Sequence, residues 1–278
     1  LGREVERMAN VLKAMGVGKG DVVTIYLPRI PEVFFAMLAC AKLGAIHSVV
    51  FAGYSSDALS ARIDDSESKV VITADGSWIN GKVFPMKKIV DDAVRFSPTV
   101  QNVIVVRNTA TEAVMDPIRD HWYHELCKLP IAKGRCETVQ VDAEDPLFIL
   151  YTSGSTGKPK AILHSHGGYQ VGTYATLHDC FDVHDADRCP IIDTWWQTET
   201  GMFQITTVPS MPQKPGSAGR PVFGQEAAVV DEEGREVPDG VEENLVLKRP
   251  CPMRSRGTPS TSPSSWPPGS SPRVSSRP

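Results

Sequence analysis

The chain has 278 residues, 41% of them hydrophobic and 22% charged, with 29 Lys and Arg against 33 Asp and Glu for a formal net charge of −4. These are the proportions of a soluble globular protein long enough for about two domains or one large one. The mild acidity gives no reason to expect nucleic acid or an anionic membrane as a partner, and no apolar run approaches the roughly 20 residues that cross a bilayer.

In chain order, Val5, Met8, Val11, Leu12 and Met15 recur at helical spacing over residues 3–15, and Gly16 and Gly18 stop that helix. Residues 21–27 read as a strand. Pro31 opens a second helix through Leu43, at a position where proline is tolerated, and Gly44 ends it. Residues 45–50 form the next strand, Ser56 caps a helix through Asp64, and residues 69–73 form another strand. A helix over 87–96 and a strand over 103–106 follow. Residues 121–128 predict a short helix carrying His121 and His124 three apart, a spacing that suits a metal, but no third ligand is near. Strand–helix alternation of this kind argues for an α/β fold with a parallel sheet flanked by helices.

Residues 146–150 are a short apolar run, read as a buried strand, and residues 161–163 are a second. Between them lies Tyr151-Thr-Ser-Gly-Ser-Thr-Gly-Lys-Pro-Lys160. Two glycines let the backbone turn tightly and gather several N–H groups into one concavity. Thr152, Ser153, Ser155 and Thr156 add hydroxyl donors, and Lys158 and Lys160 add charge. That combination suits a polyphosphate. It is not the P-loop of nucleotide triphosphatases. That loop needs four residues between its glycines, whereas Gly154 and Gly157 are separated by two, and Pro159 opposes a following helix. Without other support the stretch reads equally as a surface loop. His164 and His166 alternate as ordinary residues of a strand leaving this loop. Further on, Asp193-Thr-Trp-Trp-Gln-Thr-Glu-Thr200 sets two tryptophans side by side, residues 227–230 and 244–247 read as strands, and residues 231–234 form a turn.

The six cysteines, Cys40, Cys127, Cys136, Cys180, Cys189 and Cys251, form no CxxC pair and no metal spacing, so buried free thiols in a reducing cytoplasm are expected. No secretory signal is visible. The chain opens on Leu1 rather than Met, so its natural start is expected upstream.

Residues 151–160 resemble the phosphate-binding signature of the AMP-forming acyl-CoA synthetases, the adenylate-forming superfamily. Three further stretches are similar to its acetyl-CoA synthetase branch: residues 39–53, residues 188–201 and Lys214-Pro-Gly-Ser-Ala-Gly-Arg-Pro221. The likeness runs from about residue 1 to about residue 250. It implies large parallel sheets flanked by helices, with the strands over 227–247 resembling the small β-subdomain of the large N-terminal domain. It implies ATP, coenzyme A and Mg2+ as cofactors and acetate as the acid, with propionate as an alternative.

Residue by residue, the resemblance assigns Thr152, Ser153, Gly154, Ser155, Thr156, Gly157, Lys158 and Lys160 to the ATP phosphates. Asp193, Thr194, Trp195, Trp196, Gln197 and Thr198 fall to the adenylate. Trp195 lies against adenine and Trp196 closes the acyl pocket to all but very short chains. Glu199 helps hold Mg2+. The phosphorylated end of coenzyme A falls to Ile79, Asn80, Gly81 and Lys82, where Lys82 keeps one charge and Ile79 stands in place of an arginine.

The resemblance also implies departures. Residues 1–188 correspond to the N-terminal part of the AMP-binding domain, and residues 189–250 to a later part joined across an apparent deletion between Arg188 and Cys189. That deletion takes sheet strands, the acyl-pocket wall and a Gly-Glu-Pro segment that contacts adenine. Residues 251–278, rich in Ser, Pro and Arg, are expected to be a disordered, out-of-frame tail. The C-terminal domain with the adenylation lysine is expected to be absent, so no catalytic residue is assigned. The expected function is an AMP-forming acetate–CoA ligase by family, impaired or inactive in this chain. The alternative is a non-catalytic nucleotide-binding or regulatory fragment that pairs with itself or with an intact homologue.

Overall fold

The computed structural model describes residues 1–152, 159–180, 194–196, 203–206, 208, 219–222, 224–238, 241, 244–248 and 256–257. The chain divides into two compact units, Leu1–Leu163 and His164–Pro278.

The first unit opens with helix α1 (Gly2–Ala14), which buries Met8, Ala9, Val11 and Leu12 on one face. Gly16 follows in the left-handed region at φ 79°, and the chain turns into strand β1 (Val22–Tyr26). Helix α2 (Glu32–Leu43) starts after Pro31 and ends at Gly44, φ 66°. A Cβ at Gly44 would stand 3.0 Å from the Val141 side chain and 3.2 Å from that of Lys19, so both backbone angle and space require glycine there. Strand β2 (Ile46–Val49) leads to helix α3 (Ser56–Asp65). Its cap is Ser55, not Ser56: the Ser55 hydroxyl accepts from the Ala58 amide at 3.4 Å. Two adjacent serines offered two registers for one cap, and the structure takes the earlier.

Strand β3 (Val70–Ala74) is buried at all five positions. A hairpin of strands β4 (Ser77–Ile79) and β5 (Lys82–Phe84) follows it, then helix α4 (Met86–Val94) and strand β6 (Asn102–Val106). The expected helix over 121–128 is split: strand β7 (Asp120–Trp122) runs into a single turn, α5 (Tyr123–Leu126). Pairing of Ile104 and Val105 with His121 and Trp122 outweighs local helix propensity at the first two residues of that stretch. His121 is therefore on a strand, where it bonds the Asn102 side chain at 3.1 Å, and His124 is on the following turn. No group of three metal-ligating side chains occurs among the described residues.

Strands β8 (Pro146–Thr152) and β9 (Lys160–Ser165) complete a sheet whose order is β9-β8-β2-β1-β3-β6-β7. The pairs β8–β2, β2–β1, β1–β3, β3–β6 and β6–β7 are all parallel. Strands buried along their whole length need cover on both faces of a sheet. The helices supply it, with α1 against α2 and α3 against α4. The core contains Met8, Leu12, Val23, Ile25, Leu59, Ile63, Ile72, Val90 and Ile104, all fully buried.

In the second unit, helix α6 (His166–Ala175) begins directly after β9, so His164 lies on the strand as expected but His166 opens a helix. Strands β10 (Thr194–Trp196), β11 (Phe203–Thr206) and β12 (Arg220–Pro221) form an antiparallel sheet. Strands β13 (Ala227–Val230) and β14 (Asn244–Leu247) form an antiparallel pair, and the expected turn after β13 closes with the Gly234 amide donating to Asp231 at 3.0 Å. Among the described residues no helix is long and apolar enough to cross a membrane.

Candidate functional site

Parallel strands send their carboxyl ends to one edge of the sheet. The connections after β1, β2, β3 and β8 therefore emerge together. From β1 the chain crosses to β2 on one side, and from β3 to β6 on the other, so β1 and β3 flank the point where the winding reverses. Ligands of open α/β sheets bind outside the carboxyl ends at such a reversal.

The 153–159 connection joins neighbouring strands, with Thr152 closing β8 and the exposed Lys160 opening β9. Its entry is anchored by Tyr151. The Tyr151 hydroxyl donates to Asp65 Oδ2 at 2.8 Å and to the Arg62 carbonyl at 3.3 Å, both at the end of α3. Burial, then the Asp65 bond, raise the Tyr151 phenol pKa above its ordinary value. The Arg62 guanidinium lies 4.4 Å from the Tyr54 ring centre and 5.5 Å from that of Tyr151, and its Nη1 donates to the Ala58 carbonyl at 2.5 Å. Tyr26, at the end of β1, donates to the carbonyls of Tyr54 at 2.8 Å and Ala52 at 3.2 Å, and burial pushes its pKa up to about 12. Beneath these, His47 on β2 stacks on Phe148 of β8, ring centres 5.3 Å apart. The ends of β1, β2 and β8 are thus held by one aromatic and cationic cluster, which sequence reasoning did not single out. Its signal was faint: tyrosines at 26, 54 and 151 are far apart in the chain, and only the parallel register brings them to one edge.

After β3 the structure has a hairpin. Ser77 pairs with Phe84, Trp78 with Val83 and Ile79 with Lys82, across a turn in which Asn80 and Gly81 both have positive φ, 49° and 74°. Asn-Gly between two strands is the strongest short-range hairpin signal, and it stood in the sequence. The turn puts Ile79, Asn80, Gly81 and Lys82 together at the tip, all exposed, on the connection that leaves the winding reversal. The Lys82 ammonium is the one positive charge at this tip.

The remaining expected positions are partly described. Thr194, Trp195 and Trp196 lie on β10, opposite Thr206, Ile205 and Phe203, and the register shifts between Trp195 and Trp196. Such irregularities concentrate beside active sites. Ser153, Gly154, Ser155, Thr156, Gly157, Lys158, Asp193, Gln197, Thr198 and Glu199 lie outside the described residues. Cys40 and Cys136 are buried free thiols as expected and Cys127 is half-buried; the other three cysteines are outside the description of side chains.

The sequence pattern of the AMP-binding enzyme family matches residues 1–189 and 174–255. The chain is similar to the acetyl-coenzyme A synthetase of Methanothrix thermoacetophila, at 36% identity with 91% of this chain and 54% of that protein aligned. The acetyl-coenzyme A synthetase of Streptomyces avermitilis is 37% identical, over 91% and 55% of the two chains. Acetyl-coenzyme A synthetase 2 of Pseudomonas aeruginosa is 36% identical, over 92% and 56%. The chain spans about half the length of the curated relatives it matches. The Methanothrix alignment runs over 358 positions although only 91% of these 278 residues enter it, so about 100 of its positions have no residue here. Among solved structures, the acetoacetyl-CoA synthetase from Streptomyces lividans superposes with a TM-score of 0.79 over 92% of this chain and 55% of that one; at 22% identity the likeness is one of fold. With the family pattern matched over most of its length, the chain belongs to the AMP-binding enzyme family.

Proposed function

We propose that this chain carries the site of an AMP-forming acetate–CoA ligase. The observation that carries the reading is the Tyr151–Lys160 signature, set between neighbouring strands at the carboxyl edge of a parallel sheet, in a chain 36% identical to acetyl-coenzyme A synthetases. In the first half-reaction an acetate oxygen attacks the α-phosphorus of ATP, giving acetyl-AMP and releasing pyrophosphate. In the second the coenzyme A thiol attacks the acetyl carbonyl and AMP leaves. The first step needs positioning and neutralisation of phosphate charge more than covalent help.

In this reading Thr152–Lys158 and Lys160 cradle the triphosphate, with Asp193, Thr194, Gln197 and Thr198 about the adenylate. Trp195 lies against adenine, and Trp196 restricts the acid to acetate or propionate. The Glu199 carboxylate and the loop hydroxyls are hard oxygen donors of the kind Mg2+ takes; Mg2+ shields the phosphates when bound. Ile79–Lys82 receive the phosphorylated end of coenzyme A with one charge, from Lys82. The free thiols of Cys40, Cys127 and Cys136 fit a reducing compartment such as the cytoplasm.

A second reading is favoured by a specific observation. The family pattern matches in two overlapping pieces, and about 100 aligned positions have no residue here, which fits a gap between Arg188 and Cys189. By the resemblance, that gap falls on interior strands and the acyl-pocket wall. We therefore expect nucleotide binding with little turnover, as in a regulatory fragment that acts alone or beside an intact homologue. Acetate-dependent ATP–pyrophosphate exchange on the purified chain, with Mg2+ and without coenzyme A, tests this. Exchange above a Lys158→Ala control shows that acetyl-AMP still forms and that the missing stretch is dispensable. No exchange in a soluble preparation that binds ATP supports the impaired reading. Failure to bind ATP at all overturns both.

A further inference from the structure

Asp75 is the residue directly after β3 and is 2% exposed. Its amide donates to the Val106 carbonyl at 3.0 Å, extending the ladder with β6. Its carboxylate then closes a turn on each side. Oδ1 accepts from the backbone amides of Gly76 at 2.8 Å, Asn108 at 2.8 Å and Thr109 at 3.0 Å. A buried carboxylate is costly unless hydrogen-bonded, and three amide donors on Oδ1 offset part of that cost, while Oδ2 is buried without a partner among the described residues. The Asn108 side chain returns a bond to the Gly76 carbonyl at 2.9 Å. Thr109 and Thr111 share a hydroxyl bond of 2.8 Å around Ala110, which sits at φ 56°.

Gly76 is the point of contact between this network and the hairpin. A Cβ there would stand 2.7 Å from Thr109 Oγ1, 3.0 Å from the Val83 side chain and 3.2 Å from the Phe84 carbonyl. The hairpin base is therefore clamped between Asp75 and the 108–111 turn. Its outer residues have no comparable support: Trp78 is 62% exposed, Ile79 41% and Val83 38%. A short isolated two-stranded ribbon is marginal in water, so the direction of this one depends on its base.

We propose that Asp75 is the positioning residue of this hairpin. Its carboxylate fixes the angle at which Asn80, Gly81 and Lys82 leave the sheet edge, and hence where Lys82 meets the phosphorylated end of an acyl-accepting thiol. The ligand clause rests on the proposed coenzyme A site; the hold on the hairpin does not.

Hydrogen exchange on the full chain, native and with Asp75→Ala or Asp75→Asn, tests the hold, and calorimetric titration with coenzyme A tests the consequence. Asp75→Ala is expected to speed exchange over 77–84 and 108–111 by about tenfold or more, while amides of β1 and β2 keep their protection. Asp75→Asn keeps an oxygen acceptor and is expected to restore most of the protection. Affinity for coenzyme A falls by about tenfold in the alanine variant while affinity for ATP is unchanged. If the alanine variant protects 77–84 as the native chain does, or loosens β1 equally, Asp75 does not position the hairpin. If that variant does not fold, Asp75→Asn and Asn108→Ala decide on the same peptides. A native chain that ignores coenzyme A overturns the ligand clause alone, because the exchange result is read without ligand.

Discussion

Arg62 is 7% exposed and makes contacts that no other residue type reproduces. Its planar guanidinium faces the rings of Tyr54 and Tyr151 and bonds the Ala58 carbonyl. Lysine carries the same charge as a point and cannot stack. Arg62→Lys is expected to cost about 1–2 kcal/mol in urea unfolding, the scale of a partly desolvated cation–π contact. Tyr151→Phe is expected to cost about 0.5–1.5 kcal/mol, one hydrogen bond to a solvated partner. Because Tyr151 directly precedes Thr152, both variants are also expected to weaken ATP binding in the same titration. A loss of stability with unchanged ATP affinity would separate the cluster from the nucleotide site. None of these partners was visible in the sequence. A tyrosine's hydroxyl partner depends on which strand lies beside it, and the β8–β2–β1 order joins segments more than 100 residues apart.

At the scale of elements, α4 is fastened to β7 by a charged cluster. Lys87, with a side chain 2% exposed, reaches Asp91 and Asp120 at 2.7 Å each and the Val114 carbonyl at 2.9 Å. Arg119 bonds Asp120 at 2.7 Å and Asp91 at 2.6 Å. Burial alone would raise the Asp120 pKa, but the bonds from Arg119 and Lys87 outweigh it and hold the group below its ordinary 3.8. A depressed carboxylate contributes stability that is fully present above its unfolded pKa and lost as pH falls through the folded one. Unfolding midpoints are therefore expected to fall with pH below 3.8 more steeply in the native chain than in Asp120→Asn. Equal slopes would place the acid sensitivity elsewhere. Elements themselves were largely legible. Helical periodicity marked α1, Pro31 and Gly44 bracketed α2, and apolar runs marked β1, β3, β6 and β8, because each signal is local. The hairpin signal was equally local, announced by Asn80-Gly81 between two short strands. Residues 121–128 failed for the opposite reason: pairing with β6 overrode their helical pattern.

For the whole molecule, the described core and its parallel sheet lie in the Leu1–Leu163 unit, while the aligned relatives carry about 100 positions absent here. Folded chains have margins of only about 5–15 kcal/mol, and the proposed loss of interior strands would uncover sheet edges. Limited proteolysis is expected to leave a protected product that retains β1–β9, and calorimetry a transition smaller than that of a cooperative 278-residue unit. One sharp melt of the whole chain would contradict this. The family was legible in the sequence because its signatures are contiguous, each carried within one short stretch of chain. The most direct measurement is titration of the full chain with ATP and Mg2+, alongside Lys158→Ala. The account predicts saturable one-site binding that weakens about ten- to a hundredfold in the variant, the loss of a charge-assisted phosphate contact. A soluble, folded chain that does not bind ATP, or binds it equally well without the Lys158 ammonium, would contradict the assignment of the 151–160 stretch as its phosphate site.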